Sequence, residues 1–279
     1  MSLMPIMGGF GEPGRDKMIN VLTTLSLTAS LEICLDAGDE NSYTSGAKWL
    51  DVSGNGYDFD FGLNAAVEGD EPTFVGVAGG LSAGEYMEAT NGDEGFDYDA
   101  AGITNETFMN DQHKDAATYS KFCMVWRVSG GRLPLMGGNR WNDPGVGHDI
   151  GTSGELRVLC RSPATIYGHT GDTAVGTDQW TATGLSVDED GGSVSFLWTN
   201  GAYNQVSASD LWDASITTPS SDDAGGHYTV MANGGNGTSN FNDLPAAGSR
   251  MAMAVHWSSA LTKANFDDIL AAVGSPYGL

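Results

Sequence analysis

Acidic residues are the most numerous groups in this chain that could perform chemistry. The sequence contains 36 Asp and Glu residues against 12 Lys and Arg residues, for a net charge of −24. Two acids on one strand face can hydrolyse a glycosidic bond when their carboxyl groups lie about 5–5.5 Å apart. Glu85 and Glu88 fall on opposite strand faces, whereas Glu32 and Asp36 share a face but lack a middle acid. The sequence therefore predicts no catalytic pair and no enzyme.

Aspartates separated by one residue form a second group with chemical potential. Hard carboxylate oxygens in loops are the ligands that Ca²⁺ prefers, although a chain this rich in acids also forms such pairs by chance. We predict no cofactor and keep calcium as an alternative. The candidate ligands are Asp58, Asp60, Asp97, Asp99, Asp188 and Asp190.

Other catalytic and cofactor-binding motifs do not occur in the sequence. The five histidines are far apart, and neither G-x-S-x-G nor G-x-x-x-x-G-K is present. A strongly negative surface repels phosphate groups, so we predict neither nucleic acid nor a membrane as a partner. No apolar run approaches the roughly 18 residues of a membrane-spanning helix.

The cysteines and the N-terminal region indicate where the chain folds. Cys34, Cys123 and Cys160 each lie inside an apolar run, where free cysteine behaves as a small hydrophobic residue. The stretch after Arg15 resembles an export signal only poorly, because polar residues interrupt its apolar part. These features predict folding in a reducing cytoplasm.

The chain from about residue 18 shows the pattern of β-strands. Phe122, Met124 and Trp126 alternate with Lys121 and Cys123, and a period of two with one apolar face is typical of half-buried antiparallel strands. Similar runs occur at 155–161, 193–199 and 251–257. The 40 glycines supply turns between such runs. These features predict an all-β sandwich.

One helix is predicted, close to the end of the chain. Phe266, Ile269, Leu270 and Val273 follow the helical spacing of apolar residues, and Thr262 is placed to cap the N-terminus. A short helix that ends a β-rich chain is expected to pack against the sandwich.

The first 17 residues differ in composition from the rest, with three Met, four Gly and two Pro. We predict two parts, an extended N-terminal arm at 1–17 and a single β-sandwich domain at 18–279. The arm is either a frayed terminus or an anchor on a neighbouring subunit. Its anchoring residues would be Met4, Ile6, Met7 and Phe10.

A specific resemblance lies in Ile33–Phe61. A strand ending in Leu35-Asp36-Ala37 is followed by Tyr43 and by the run W-x-D-x-S-G-N-G, which occupies residues 49–56. The segment resembles the opening of laminin-G or concanavalin A-like domains of bacteriophage and bacterial surface proteins. The resemblance implies a jelly roll of two antiparallel sheets. Within the run, Asp51 can accept backbone N–H bonds and Trp49 can be buried, so we predict a structural turn.

The resemblance implies a domain that binds glycans or proteins, or that coats particles. We predict a non-enzymatic virion structural protein, such as a head decoration, fibre-base or minor tail protein, assembled in the host cytoplasm. Its arm would bind other virion structural proteins, and particle proteins are usually symmetric homo-oligomers. The alternative is a lectin-like module that adsorbs to host-surface glycans. Its stacking residues would be Trp141, Tyr203 and Trp212, unless these plug the ends of the sandwich.

Overall fold

The computed structural model shows two antiparallel β-sheets that pack face to face. It describes residues 14–62, 71–91, 94–98, 107–110, 112–114, 117–138, 145–162, 165–188, 195–206, 228–233 and 243–279. The calcium candidates Asp99 and Asp190, the stacking candidates Trp141 and Trp212, and the four arm residues lie outside these ranges.

The described residues form sixteen strands and three α-helices. The strands are β1 Leu31–Asp36, β2 Lys48–Trp49, β3 Phe59–Phe61, β4 Thr73–Val75, β5 Tyr86–Glu88, β6 Phe96–Tyr98, β7 Thr118–Trp126, β8 Leu133–Gly137, β9 Gly145–Ile150, β10 Glu155–Ser162, β11 Thr165–Ala174, β12 Trp180–Asp188, β13 Phe196–Thr199, β14 Ala202–Val206, β15 Tyr228–Val230 and β16 Arg250–Trp257. The helices are α1 Met18–Thr24, α2 Thr107–Asn110 and α3 Lys263–Val273, and a 3₁₀ turn follows at Ser275–Tyr277.

Each sheet contains eight strands. Sheet A has the order β14-β13-β12-β7-β16-β5-β4, and β1 also pairs with β16. Sheet B has the order β11-β10-β9-β8-β15-β6-β3-β2. The predicted all-β antiparallel sandwich with a C-terminal helix is confirmed. No helix among the described segments is long and apolar enough to cross a membrane.

The central strands of sheet A are buried on both faces, which corrects the prediction of half-buried strands. On β7, Cys123 and Val125 belong to the core between the sheets. Phe122 and Met124 belong to a second core, formed with side chains of α1 and α3. The alternation correctly predicted a strand whose successive side chains lie on opposite faces. The helices, however, cover the face that a simple sandwich would expose to water.

Helix α1 also corrects the prediction that strands begin at about residue 18. Met18, Val21 and Leu22 are its buried residues, at the i, i+3, i+4 spacing of a helix packed on one side. Threonine has a low helix propensity, but burial against sheet A outweighs such local propensity in this segment. The predicted C-terminal helix is confirmed, because α3 follows Thr262, whose side chain accepts from the backbone N–H of Asn265 in a capping box.

The W-x-D-x-S-G-N-G run forms the structural turn that was predicted. Asp51 Oδ1 accepts the backbone N–H groups of Cys34 and Ser53, at 2.8 and 2.9 Å. The Asn55 side-chain amide donates to the Leu31 carbonyl at 2.9 Å, and Trp49 is fully buried. The run therefore fastens the turn to β1, and the fold occupies the side chains of Asp51 and Asn55.

Residues 14–17, the end of the predicted arm, are held against the sandwich. Arg15 is buried and pairs with both carboxylate oxygens of Asp36, one of them at 2.8 Å. Its Nε donates to the Tyr277 hydroxyl at 3.2 Å. Its backbone N–H donates to the Leu81 carbonyl at 2.9 Å, in the loop after β4. One guanidinium thus joins the N-terminal segment, the end of β1 and the C-terminal turn.

A group of polar side chains lies buried between the two sheets. Lys121 on β7 donates from Nζ to the Met136 carbonyl at 3.2 Å, with the rings of Tyr119 and Tyr228 centred 5.2 and 5.4 Å away. His256, its cross-strand neighbour, shares a 2.7 Å hydrogen bond with the Tyr228 hydroxyl. Burial lowers the pKa of Lys121 to about 7. The cause is that the Lys121 side chain is fully buried, which disfavours its charged form.

His148 on β9 completes this polar group from sheet B. It is fully buried, and neither ring nitrogen has a hydrogen-bond partner. Burial and the nearby Lys121 amine hold the pKa values of His148 and His256 well below the usual value. In the folded protein Lys121 is therefore neutral only above about pH 7, whereas the two histidines stay neutral below the usual histidine pKa.

Candidate functional site

A cleft opens at one lateral edge of the sandwich, where sheet A ends at β4 and sheet B ends at β2. Its volume is about 510 Å³, within the range of about 300–1,000 Å³ typical of small-molecule sites. The lining residues are Tyr43, Thr44, Ser45, Gly46, Ala47, Phe61, Glu71, Pro72, Thr73 and Phe74. We call this space the edge cleft.

Local structure positions the aromatic walls of the edge cleft. Tyr43 ends a turn in which its backbone N–H donates to the Asp39 carbonyl at 2.9 Å. Phe61 lies on β3 and points into the core between the sheets. Phe74 lies on β4, opposite Met87 of β5. The three rings therefore come from a turn and from one strand of each sheet.

The three rings form a continuous aromatic surface. Tyr43 and Phe61 stack with their centroids 5.4 Å apart and an interplanar angle of 17°. Phe74 lies 4.7 Å from Tyr43, with its plane tilted by 41°. Tyr43 and Phe61 are almost fully buried, whereas Phe74 is partly exposed. Phe74 is therefore the ring with an accessible face.

Polar groups surround this aromatic surface. The hydroxyls of Thr44, Ser45 and Thr73 are on exposed residues, and Glu71 adds a partly exposed carboxylate. The Tyr43 hydroxyl donates to the Gly46 carbonyl at 3.3 Å, and burial raises the pKa of Tyr43. An apolar floor with hydroxyls and a carboxylate at the rim suits a ligand with one apolar face and many hydroxyl groups.

The acids considered for glycoside hydrolysis have structural contacts. Asp36 pairs with Arg15, and Glu85 accepts from the backbone N–H and hydroxyl of Ser82 at 2.6 and 2.7 Å. Glu88 pairs with Arg250 at 2.7 Å, and Glu32 accepts from the Ser258 hydroxyl at 2.6 Å. These acids organise loops and strand ends.

The predicted stacking residue Tyr203 lies at the opposite lateral edge, on β14. Its side chain is 50% exposed. The ring is 5.2 Å from Phe196, and Lys263 Nζ lies 5.7 Å from its centre. Tyr203 therefore offers an exposed ring at the β14 edge, whereas Phe74 lines the edge cleft.

The described calcium candidates are not assembled into a cage. Asp58 accepts the backbone N–H of Asp51 at 3.0 Å. Asp60 and Asp97 are register partners on β3 and β6, and Asp60 pairs with Lys48 at 3.1 Å. Asp188 ends β12. Within the described segments, no three His, Cys, Asp or Glu residues form a group that could hold a metal ion.

Sequence reasoning did not identify the edge cleft. Tyr43 was noted only as part of the resemblance, and Phe61, Glu71 and Phe74 were not singled out. Alternation around β3 was a usable signal for Phe61, because Phe59 and Phe61 flank Asp60. The proximity of β3 and β4 could not be predicted from the sequence, because the two strands belong to different sheets and meet only at the edge of the sandwich.

Comparisons with known proteins identify the fold. No protein-family model matches the chain. No curated protein matches it. Among solved structures, domain 4 of AbnA, a GH43 extracellular arabinanase from Geobacillus stearothermophilus, is similar with a TM-score of 0.53 and 17% identity. That match covers 86% of this chain and 98% of the domain, which was solved with arabinotriose.

Two other groups of structures match over most of this chain. The binding domain of botulinum neurotoxin DC, solved with rat synaptotagmin II, has a TM-score of 0.56 and 10% identity and covers 88% of this chain and 52% of its own. Trypanosoma rangeli sialidase, solved with sialic acid, has a TM-score of 0.52 and 14% identity, with 88% and 33% covered. This chain spans about half the length of the neurotoxin chains, and the likeness shows a shared antiparallel β-sandwich fold.

Proposed function

We propose that this protein is a carbohydrate-binding module and that a short oligosaccharide binds in the edge cleft. The observation that carries the proposal is the aromatic surface of Tyr43, Phe61 and Phe74 beneath a rim of hydroxyls and a carboxylate. Sugar rings stack their apolar faces on aromatic side chains and satisfy their hydroxyls at a polar rim.

The structural neighbours support this function over a purely structural role. The arabinanase domain was solved with arabinotriose, and entry of botulinum neurotoxin type C depends on interaction with two ganglioside molecules. The match covers 98% of the arabinanase domain. This chain therefore resembles that domain over nearly its whole length, which favours a role as a binding module.

Catalysis is not part of the proposal. Glu71 is the one carboxylate among the described residues that line the edge cleft, and most retaining and inverting glycosidases use two carboxyl groups across the scissile bond. The virion role, the cytoplasmic assembly and the homo-oligomer stay predictions from the sequence. A particle protein that adsorbs to host-surface glycans would combine both roles.

The proposal is tested by glycan binding to the wild-type protein and to two aromatic variants. Phe74→Ala removes the accessible wall of the edge cleft and should weaken binding about tenfold, the equivalent of about 1.4 kcal/mol. Tyr203→Ala is the matched control, because it removes an exposed ring from the opposite edge. Isothermal titration calorimetry with arabinotriose and with the best ligand from a glycan array gives both affinities.

The outcome separates the two candidate surfaces. Loss of binding in Phe74→Ala with wild-type affinity in Tyr203→Ala supports the edge cleft. The reverse pattern would move the site to β14, and an array without any bound glycan would reject the carbohydrate-binding function.

A further inference from the structure

The charged side chains that line the described part of the edge cleft are of one sign, and that sign is negative. Its described lining contains the carboxylate of Glu71 and no Lys, Arg or His side chain. The hydroxyl groups of Thr44, Ser45 and Thr73 are the other side-chain donors and acceptors at the rim. A ligand carboxylate or sulfate would therefore meet a negative group and find no positive partner among these residues.

The charge of the whole chain acts in the same direction. A net charge of −24 produces a negative potential around the protein. At about 10 mM salt the Debye length is about 30 Å, so this potential reaches the cleft from most of the surface. At physiological salt the length falls to about 8 Å, and nearby groups such as Glu71 dominate.

Three basic groups in the described part of the chain have partners outside the cleft. Lys48 is the basic residue next to the cleft in sequence, and it pairs with Asp60 on the outer face of sheet B. Arg15 is buried in its pair with Asp36. Arg250 pairs with Glu88 and lies over the rings of Tyr86 and Trp126.

We propose that the edge cleft selects uncharged oligosaccharides against sialylated, sulfated or uronic acid-containing ones, with Glu71 as the specificity-determining residue. This inference rests on the proposed function of the same cleft. The Glu71 carboxylate accepts hydrogen bonds from sugar hydroxyls, which are donors. Against an acidic sugar the same carboxylate is repulsive, and a repulsive element is an efficient source of specificity.

The test uses a printed array on which each neutral oligosaccharide stands beside its sialylated or sulfated form. The wild-type protein should prefer the neutral member of each bound pair by about tenfold or more at about 10 mM salt, and the preference should shrink at about 500 mM salt. Salt dependence identifies repulsion, because exclusion by shape would persist at high salt.

Two substitutions assign the effect to the cleft. Glu71→Gln removes one charge with little change in shape and should reduce the preference several-fold. Glu71→Lys should favour the acidic member of the pair. Asp268→Asn is the matched control, since it makes the same charge change on an exposed residue of α3, and its preference should equal that of the wild type.

The possible failures are distinct. Equal or tighter binding of the acidic glycans by the wild type at about 10 mM salt would overturn the inference and leave the carbohydrate-binding function standing. The same holds if Glu71→Lys keeps the full preference for neutral glycans. Absence of binding to every glycan on the array would reject the proposed function, and the inference with it.

Discussion

The two lateral edges of the sandwich differ, since side-chain hydrogen bonds close one edge and a cleft opens at the other. At one edge, β14 of sheet A meets β11 of sheet B, and the Asn204 side-chain amide accepts from and donates to the backbone of Thr173, both at 3.0 Å. A Cβ at Gly171 would lie 2.3 Å from Asn204 Oδ1, so glycine is required for this approach. At the other edge, β4 and β2 enclose the edge cleft.

The comparison assigns different roles to the two edges. The edge at β14 and β11 closes the sandwich, whereas the edge at β4 and β2 leaves a cleft in which a ligand could bind. A side-chain amide that pairs with backbone groups continues the hydrogen bonding of the strands from one sheet to the other. Aromatic walls with a polar rim leave a cavity instead. The N-terminal segment supports the open edge from outside, because the backbone N–H of Arg15 donates to the Leu81 carbonyl in the loop after β4.

The largest expected effect comes from the buried pair of Arg15 and Asp36. Arg15→Met leaves the Asp36 carboxylate buried without its cation, and such a loss costs about 3–5 kcal/mol. We expect a decrease of that size in the free energy of unfolding from urea titration. The folded variant should keep the wild-type glycan affinity, because the backbone bond to Leu81 does not need the Arg15 side chain. Lys17→Met is the control, because Lys17 is a partly exposed partner of Asp39 and Glu40.

Truncation extends the same prediction to the N-terminal arm. Removal of residues 1–17 should match Arg15→Met, whereas removal of residues 1–13 should retain the buried pair and its stability. Equal loss in both truncated proteins would show that the pair is not the stabilising contact.

A change in the interior between the sheets should alter how the stability of the whole sandwich depends on pH. The pKa of Lys121 falls from 10.5 to about 7 on folding, so between these values the unfolded chain binds one more proton than the folded one. Stability from this group therefore rises with pH, by about 1.4 kcal/mol per pH unit. Lys121→Met should raise stability at pH 7 and flatten the rise between about pH 7 and pH 9.

Urea unfolding at several pH values measures this slope. Lys263→Met, at the partly exposed start of α3, should keep the wild-type slope. Below about pH 6.5, the buried His148 and His256 should make both proteins less stable, because their pKa values are lowered in the folded state and the unfolded chain takes up the protons. An unchanged slope in Lys121→Met would exclude Lys121 as the titrating group.

Breaking the closed edge should cost less. Asn204→Ala leaves the backbone N–H and C=O of Thr173 without these partners, and the expected loss of stability is about 1–3 kcal/mol. Gly171→Ala should destabilise the wild-type protein but much less the Asn204→Ala variant, since the smaller side chain removes the clash. Glycan affinity should stay at the wild-type value in all three variants. Additive losses would contradict the close approach.

The strands were predictable because their signals are local. Alternation of Phe122, Met124 and Trp126 predicted β7, and the Asn200-Gly201 pair suits the turn between β13 and β14, where both residues have positive φ. The C-terminal helix was predictable for the same reason, from its apolar spacing and its cap.

The buried bases and the edge cleft were not predictable, because they depend on contacts between distant segments. The alternation around Lys121 does not reveal that both faces of β7 are covered. Nor does any local pattern show that Phe61 and Phe74 meet across the edge of two sheets, or that Tyr203 lies at the other edge. Both features follow from topology.

An NMR titration of the labelled protein with the best-binding neutral oligosaccharide tests the central claim most directly. The account predicts that backbone amide signals of Thr44–Ala47 and Thr73–Phe74 shift in proportion to occupancy, while those of Ala202–Asn204 stay in place. Shifts confined to the β14 edge, or none at saturating ligand, would contradict the assignment of the edge cleft as the glycan site.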